Sequence, residues 1–203
     1  MKILAINGSP HAKGNTYYAL REVLGELEAE GFETELLHLG DKVIRGCMGC
    51  KACRKTGKCA FADEQFEEWM DKLYSADAIV LGSPVYFGGI NGTLKSFLDR
   101  AFYFRRSELR GKVGAAVVAV RRGGSTSAVQ QLEHYIHLSE MIMPPAFYWN
   151  SVHGSLPGEV AEDGEGMQNL RTIGRGMAWL LKMREGAAPY PEPEERLRTN
   201  FIR

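Results

Sequence analysis

All four cysteines of this 203-residue chain lie between positions 47 and 59, and thiols so closely spaced predict metal or redox chemistry rather than disulfides. Soft thiolate ligands suit iron–sulfur clusters and zinc. The spacing of the first three cysteines matches that of cluster-binding runs, whereas zinc ribbons usually separate their two Cys-x2-Cys pairs by more residues. An iron–sulfur cluster, a metal-free thiol loop and a zinc site all stay open at this point. The candidate ligands are Cys47, Cys50, Cys53 and Cys59.

Basic residues surround these cysteines. Their charge would offset the negative charge of thiolates and of a cluster, or would attract an acidic electron donor. The alternative is an ordinary solvated loop without a partner. The basic positions are Arg45, Lys51, Arg54, Lys55 and Lys58.

A second candidate site follows the apolar run at residues 2–7, where small and hydroxylic residues lead into a helical pattern. The free amides of a first helical turn and the positive end of the helix dipole together favour an anion. The loop has neither the GxxxxGK nor the GxGxxG pattern, so we favour a single terminal phosphate, as in FMN. An ordinary strand–helix turn is the alternative. Possible donors are Ser9, Lys13, Asn15 and Thr16.

Two further loops are rich in glycine. In residues 82–92, Tyr86 and Phe87 offer aromatic faces and the backbone amides could bind the edge of a flat heterocycle. The alternative is a plain connection whose aromatic rings pack back on the core. In residues 121–126, Arg121 near a flavin would favour its anionic reduced form, although a solvated arginine pair fits the sequence equally well.

Hydrophobic periodicity predicts alternating strands and helices, which indicates one open parallel sheet covered by helices on both faces. The most apolar run, residues 113–120, is predicted to be the central strand. Ligands of such sheets bind beyond the carboxyl ends of the strands, so the loops described above should converge there. Predicted strands lie at 2–7, 33–39, 78–82, 113–120 and 146–152, and predicted helices at 17–27, 63–75, 94–102, 126–140 and 166–182.

The length suggests one domain over residues 1–185, with the cysteine loop 46–60 inserted and a Pro-rich tail at 186–203 that is extended or mobile. Acidic and basic residues cancel, 25 against 25, so no general field favours nucleic acid or an anionic membrane. The apolar run at the N-terminus is too short for a signal peptide or a membrane span. We therefore expect a cytoplasmic protein.

Ile6-Asn-Gly-Ser-Pro10, Gly14-Asn-Thr16, Ser83-Pro-Val-Tyr86 and the Gly-rich loop after residue 120 together resemble the flavodoxin-like NAD(P)H-dependent FMN reductase superfamily, over about three-quarters of the chain. The resemblance implies an α/β three-layer sandwich, a five-stranded sheet in the order 2-1-3-4-5, non-covalent FMN and a homodimer or homotetramer.

The same resemblance assigns roles to individual residues. Ser9, Asn15 and Thr16 would hold the FMN phosphate, with Lys13 or His11 nearby. The isoalloxazine ring would be lined by Pro84, Val85, Tyr86, Phe87 and Gly88, and the site would be closed by Gly123 and Gly124.

The cysteine spacing is similar to that of the iron–sulfur flavoproteins, in which such a loop carries a 4Fe–4S cluster beside FMN. Related proteins also retain similar cysteines without a metal, so a metal-free loop stays open. The resemblance implies an FMN-dependent oxidoreductase that passes electrons from NAD(P)H or a ferredoxin-type protein to a quinone, nitro-aromatic or protein acceptor. A non-catalytic electron carrier or regulatory module is the alternative, although a flavodoxin-like carrier would usually be strongly acidic.

Overall fold

A single twisted sheet forms the centre of the molecule, which this computed structural model describes for residues 1–195, 197 and 199. Its strands are β1 (Lys2–Asn7), β2 (Glu33–His38), β3 (Ala78–Tyr86), β4 (Gly89–Ile90), β5 (Val113–Val120) and β6 (Ser151–His153). Five of them are parallel in the order β2-β1-β3-β5-β6, while the two-residue β4 folds back antiparallel on the end of β3. The predicted order 2-1-3-4-5 is confirmed, with β4 as an addition.

Helices cover both faces of the sheet and make three layers. On one face, α1 and α6 enclose a core with β1, β3 and β5, and on the other α3, α4 and α5 enclose a second core. The short α2 lies within the cysteine loop. The helices are α1 (Asn15–Ala29), α2 (Ala52–Thr56), α3 (Glu64–Ser75), α4 (Gly92–Phe104), α5 (Ser125–Leu138) and α6 (Gly164–Arg184).

The prediction that residues 113–120 form the central strand is wrong. β3 holds the middle of the sheet, and β5 lies between β3 and the short edge strand β6. Every residue of β5 is nonetheless buried, because helices cover both of its faces. An apolar run therefore reports burial on two faces, and it carries no information on the position of a strand within the sheet.

Three strands differ from their predicted spans, and β2 does so only by ending one residue earlier, at His38. β3 continues past residue 82 because Ser83 and Pro84 still pair with β5. β6 begins only at Ser151, since the carbonyl groups of Tyr148 and Trp149 accept hydrogen bonds from the Asn169 side chain instead of pairing with a strand. Side-chain capture of backbone groups competes with sheet formation in this way.

The first part of the Pro-rich tail packs against the domain. The guanidinium of Arg110 lies 5.4 Å from the centre of the Tyr190 ring and donates a hydrogen bond to the carbonyl of Pro191. The predicted extended or mobile character of residues 196, 198 and 200–203 falls outside the described residues. Within the described part of the chain, no helix is both long enough and apolar enough to cross a membrane.

Asp163 caps the last helix and also fixes the end of β6. Its carboxylate accepts hydrogen bonds from the backbone amides of Gly166 (3.0 Å) and His153 (2.7 Å). Burial opposes ionisation, but these hydrogen bonds outweigh it and the pKa of Asp163 is lowered. The stabilisation is therefore present above the pKa of the unfolded carboxyl and is lost as the pH falls through the folded value.

Asp163→Ala is expected to lower the free energy of unfolding by about 1 kcal/mol at pH 7, because the cap of α6 is lost. Asp163→Asn keeps a side-chain acceptor for the Gly166 amide and should lose less. Urea denaturation at pH 7 and at about pH 3 measures both variants, and the deficit of the alanine variant should shrink in acid. Equal stability of wild type and Asp163→Ala at pH 7 would contradict this role.

Candidate functional site

The loop between β1 and α1 is held by its own polar groups. The Gly8 amide donates to the carbonyl of Gly82 at 2.8 Å, which ties the loop to β3. The Ser9 amide donates to the side-chain oxygen of Asn7 at 2.9 Å, and the His11 amide donates to the Ser9 hydroxyl at 3.2 Å. Because the backbone is fixed before any ligand arrives, the loop is preorganised for binding.

The end of β2 and the turn after it pack against the backbone of this loop. A side-chain nitrogen of His38 lies 2.7 Å from the carbonyl oxygen of Ser9. A Cβ atom at Gly40 would lie 2.1 Å from that same oxygen and 2.4 Å from the carbonyl oxygen of Gly8. Only glycine fits at position 40, since backbone atoms cannot yield as a flexible side chain can. Neither His38 nor Gly40 was predicted as a site residue.

The N-terminus of α1 carries donors without partners. Gly14 occupies the N-cap position, and no side chain caps the helix. Thr16 is only 1% exposed, and its hydroxyl has no hydrogen-bond partner among the residues that the structure describes. A buried hydroxyl left unpaired costs free energy, so this arrangement fits an anion that would accept from the hydroxyl and the first-turn amides. The residues present therefore fit the phosphate of FMN.

The other predicted phosphate ligands are placed differently around this loop. Ser9 is buried, whereas His11 and Lys13 are exposed at its rim. The side-chain oxygen of Asn15 accepts a hydrogen bond from the Gly158 amide at 2.8 Å. Asn15 thus joins the loop after β6 to the start of α1, a structural contact that the sequence did not indicate.

Replacing Thr16 by valine should weaken FMN binding by about tenfold or more, because a hydrogen bond to a charged phosphate is lost. Valine has nearly the same shape, and the hydroxyl makes no hydrogen bond to the described part of the chain, so folding should be unaffected. Fluorescence titration with FMN measures the change. Riboflavin, which lacks the phosphate, serves as the control ligand, and its affinity should stay the same. An unchanged FMN affinity would remove Thr16 from the site.

The loop after β3 presents its aromatic residues outward. Phe87 is fully exposed and adopts a left-handed backbone with φ of 50°, followed by Gly88 with φ of 73°. Tyr86 is 45% exposed, so neither ring packs back on the core. A left-handed phenylalanine costs about 1–3 kcal/mol and persists where the surrounding structure enforces it, often at ligand sites.

The loops after β3 and β5 meet at two glycines. A Cβ atom at Gly124 would lie 2.8 Å from the Cα atom of Gly88 and 3.3 Å from the Val85 side chain. The Ser127 hydroxyl, on the first turn of α5, donates to the Gly88 carbonyl. Residues predicted to line and to close a flavin site are therefore in direct contact, and Pro84 and Val85 are partly buried beside them.

Two polar residues hold the loop after β3 in place: Ser83, which belongs to the Ser83-Pro-Val-Tyr86 motif but had no predicted role, and Asn91, which was not predicted as a site residue. The Ser83 hydroxyl accepts a hydrogen bond from the Asn91 amide at 2.9 Å, and the Asn91 side chain caps α4 by accepting from the amides of Thr93 and Leu94. The asparagine directly before a helical pattern is the signal that could have identified this cap.

The remaining predicted flavin residues, Arg121 and Gly123, lie just after β5. Arg121 and Gly123 are exposed, and Arg121 lines a shallow depression together with His153 and Gly154. A Cβ atom at Gly154 would lie 3.1 Å from the Asn15 side chain. The loops after β1, β3, β5 and β6 thus lie along the carboxyl edge of the sheet, where a parallel sheet binds ligands.

The four cysteines line one depression beside α4. Cys47 and Cys50 are exposed, Cys53 and Cys59 are partly buried, and all four are free thiols. Within the described residues, no three side chains of histidine, cysteine, aspartate or glutamate lie close enough together to hold a metal ion. Four cysteine thiols are the ligands that a 4Fe–4S cluster requires. In this structure they line the same depression, but they are farther apart than ligands of one metal ion.

Comparisons with known proteins agree with this arrangement. The family model described as NADPH-dependent FMN reductase matches residues 1–155. An iron–sulfur flavoprotein of Methanocaldococcus jannaschii is 39% identical over 191 residues, which cover 90% of this chain and 98% of that protein. An iron–sulfur flavoprotein of Methanosarcina thermophila is 31% identical over 188 residues, covering 90% of this chain and 96% of that protein.

Solved structures show the same fold. A WrbA-like flavodoxin from Agrobacterium tumefaciens superimposes with a TM-score of 0.62 at 16% identity, covering 90% of this chain and 97% of that one. A flavodoxin from the domain Archaea gives a TM-score of 0.61 at 17% identity, covering 90% and 99%. At such identities the likeness establishes the flavodoxin-like fold alone. Together with the family match and the relatives above, it shows that this chain belongs to the NADPH-dependent FMN reductase family, in the branch of the iron–sulfur flavoproteins.

Proposed function

We propose that this FMN-dependent oxidoreductase takes electrons from NAD(P)H or from a ferredoxin-type protein and passes them to a quinone, nitro-aromatic or protein acceptor. The observation that carries the proposal is the unpartnered hydroxyl of Thr16, buried at the uncapped start of α1. Because the chain belongs to the NADPH-dependent FMN reductase family, we assign the flavin phosphate to this helix start, where helix amides and the hydroxyl could donate to it. When bound, FMN supplies both hydride and single-electron chemistry.

The chain itself binds and orients the flavin. We assign the phosphate to Ser9, Thr16 and the first amides of α1, with Lys13 or His11 adding positive charge at the rim. The ring would lie against the loop after β3, where its amides and exposed aromatic residues meet the loop after β5. Arg121 would favour a negative charge on the ring by its proximity. These groups bind and tune the cofactor, and no acid–base pair is required of the protein.

We further propose that Cys47, Cys50, Cys53 and Cys59 hold a 4Fe–4S cluster. The proposal is supported by the four thiols that line one depression and by the relatives that are named iron–sulfur flavoproteins. A cluster supplies one-electron exchange, so a ferredoxin-type donor becomes the natural partner. Without a cluster, NAD(P)H would be the donor.

We also propose a homodimer or homotetramer. A depression between α4 and α5 is lined by apolar and polar residues that include Phe102, Tyr103 and Leu138, and the last two are partly exposed. Exposed apolar side chains grouped in this way favour contact with a second copy of the chain. Sedimentation analysis of the purified protein would show a species of at least twice the chain mass, and a monomer would contradict the proposal.

The decisive experiment is anaerobic purification, followed by an absorbance spectrum, iron and sulfide assays, and turnover with two donors. Flavin bands with about four irons per chain, and reduction by ferredoxin, would support the cluster-dependent reaction. A yellow, iron-free protein that oxidises NAD(P)H with a quinone would support the simple reductase and exclude the cluster. A flavin protein without turnover of any donor and acceptor would contradict enzymatic function and leave an electron carrier.

A further inference from the structure

Arg100 is an unusual residue of the buried face of α4. It is 6% exposed and is the one charged side chain among the buried residues in the described part of the chain. One terminal nitrogen lies 3.3 Å from the Cys59 sulfur, and the other lies 3.5 Å from the Arg45 carbonyl oxygen. The guanidinium also stacks on Phe66, with its carbon 3.6 Å from the ring centre.

The positive charge of Arg100 has no carboxylate partner among the described residues, and its Nε atom is buried without a hydrogen bond. Burying a cation in this way costs free energy unless negative charge lies close by. One thiol, one carbonyl and an aromatic face neutralise little of it. Of the three described groups that the guanidinium contacts, only the Cys59 thiol can become an anion.

Arg100 also touches both ends of the cysteine loop. Arg45 stands before the first cysteine, and Cys59 is the last cysteine. A single planar guanidinium therefore bridges the entry and the exit of the loop with its two terminal nitrogens. Because Arg100 lies on a helix packed in the core, it can fix the base of a loop (residues 46–60) that contains five glycine or alanine positions and little regular structure beyond α2.

We propose that Arg100 is a positioning residue that closes the base of the cysteine loop and sets a permanent positive charge against its thiolates. This inference rests on the cluster put forward under Proposed function. A fixed charge beside the thiolates offsets the negative charge that a cluster gains on reduction, so Arg100 both retains the iron and raises the reduction potential. The basic residues on the loop itself are exposed, and solvent screens their charges.

The test compares wild type with Arg100→Met, which removes the charge, and Arg100→Lys, which keeps the charge but cannot bridge two groups with a planar fork. Arg175→Met removes an exposed arginine from α6, away from the cysteine loop, and serves as the control. Each protein is reconstituted anaerobically with iron and sulfide, then measured for iron retained against a chelator and for its midpoint potential by EPR. Limited trypsin digestion of the iron-free proteins reports on the loop, which contains several lysine and arginine sites.

We expect Arg100→Met to lose iron affinity by about tenfold or more, as is usual for groups that support metal ligands, and to lower the midpoint potential. The midpoint potential of Arg100→Lys should stay close to that of wild type, because the charge is kept. Trypsin should cleave both variants faster within the loop. Arg175→Met should resemble wild type in iron retention and midpoint potential. Equal FMN content in all four proteins confirms that they are folded.

Unchanged iron retention, potential and cleavage in Arg100→Met would overturn the inference. If wild type takes up no iron, the cluster proposal fails, and the digestion still decides the role of Arg100 at the loop base. Faster cleavage of the variants then supports that role, and equal cleavage contradicts it.

Discussion

Gly40→Ala is expected to abolish useful FMN binding. The added Cβ atom would lie 2.1 Å from the carbonyl oxygen of Ser9 and 2.2 Å from its carbonyl carbon, distances at which something must move. The three nearest neighbours of this Cβ atom are all backbone atoms of Gly8 and Ser9, so the clash is relieved only when the turn after β2 and the loop between β1 and α1 move apart. The phosphate donors would move with the latter loop, and each hydrogen bond lost to a charged group costs about 1.5–3 kcal/mol.

The dissociation constant for FMN should therefore rise by about 100-fold or more in Gly40→Ala, as measured by fluorescence titration of the flavin-free protein. Gly25→Ala is the matched control, because a Cβ atom at this position of α1 meets nothing within 4 Å. It should keep the affinity for FMN and gain up to about 1 kcal/mol of helix stability. Wild-type affinity in Gly40→Ala would show that the loop geometry is not needed for binding.

The second large effect is expected at the cysteine loop. Cys50→Ala should remove the iron almost completely and leave FMN in place, because a 4Fe–4S cluster held by cysteines needs four thiolates. Cys50 is exposed, so its loss should not disturb the core. Iron and sulfide assays and the visible spectrum after anaerobic purification measure the outcome.

Lys55→Ala, an exposed change in the same loop, is the control for Cys50→Ala and should keep its iron. Iron content equal to wild type in Cys50→Ala would exclude Cys50 as a ligand. Loss of the flavin together with the iron would show that the two sites depend on each other. We do not expect this result, because the cysteines and the proposed flavin residues lie in different loops.

Local signals in the sequence were sufficient for much of the fold. The strand at residues 2–7 was predicted with its observed bounds, and the Asp63 side chain accepts from the Phe66 amide at the predicted start of α3. These features depend on short-range chemistry: a run of apolar side chains in the first case and a helix cap in the second. The order of the strands came from the resemblance to a known family.

Long-range contacts explain what the sequence did not show. Gly40 matters because a neighbouring strand brings it against Ser9, 31 residues earlier in the chain. Arg100 stands on a helix face otherwise formed by Phe97 and Ala101, and a charged residue on such an apolar face is the one signal that could have marked it. Its partner Cys59 comes from a separate loop, which only the folded chain reveals.

The most direct test of the central claim is a titration of flavin-free protein with FMN and, in parallel, with riboflavin. If the loop between β1 and α1 holds the phosphate, FMN binds at about one molecule per chain, and riboflavin binds about 100-fold more weakly or worse because it lacks the charged group. Equal affinities for the two flavins, or no binding of FMN at saturating concentration, would contradict the account.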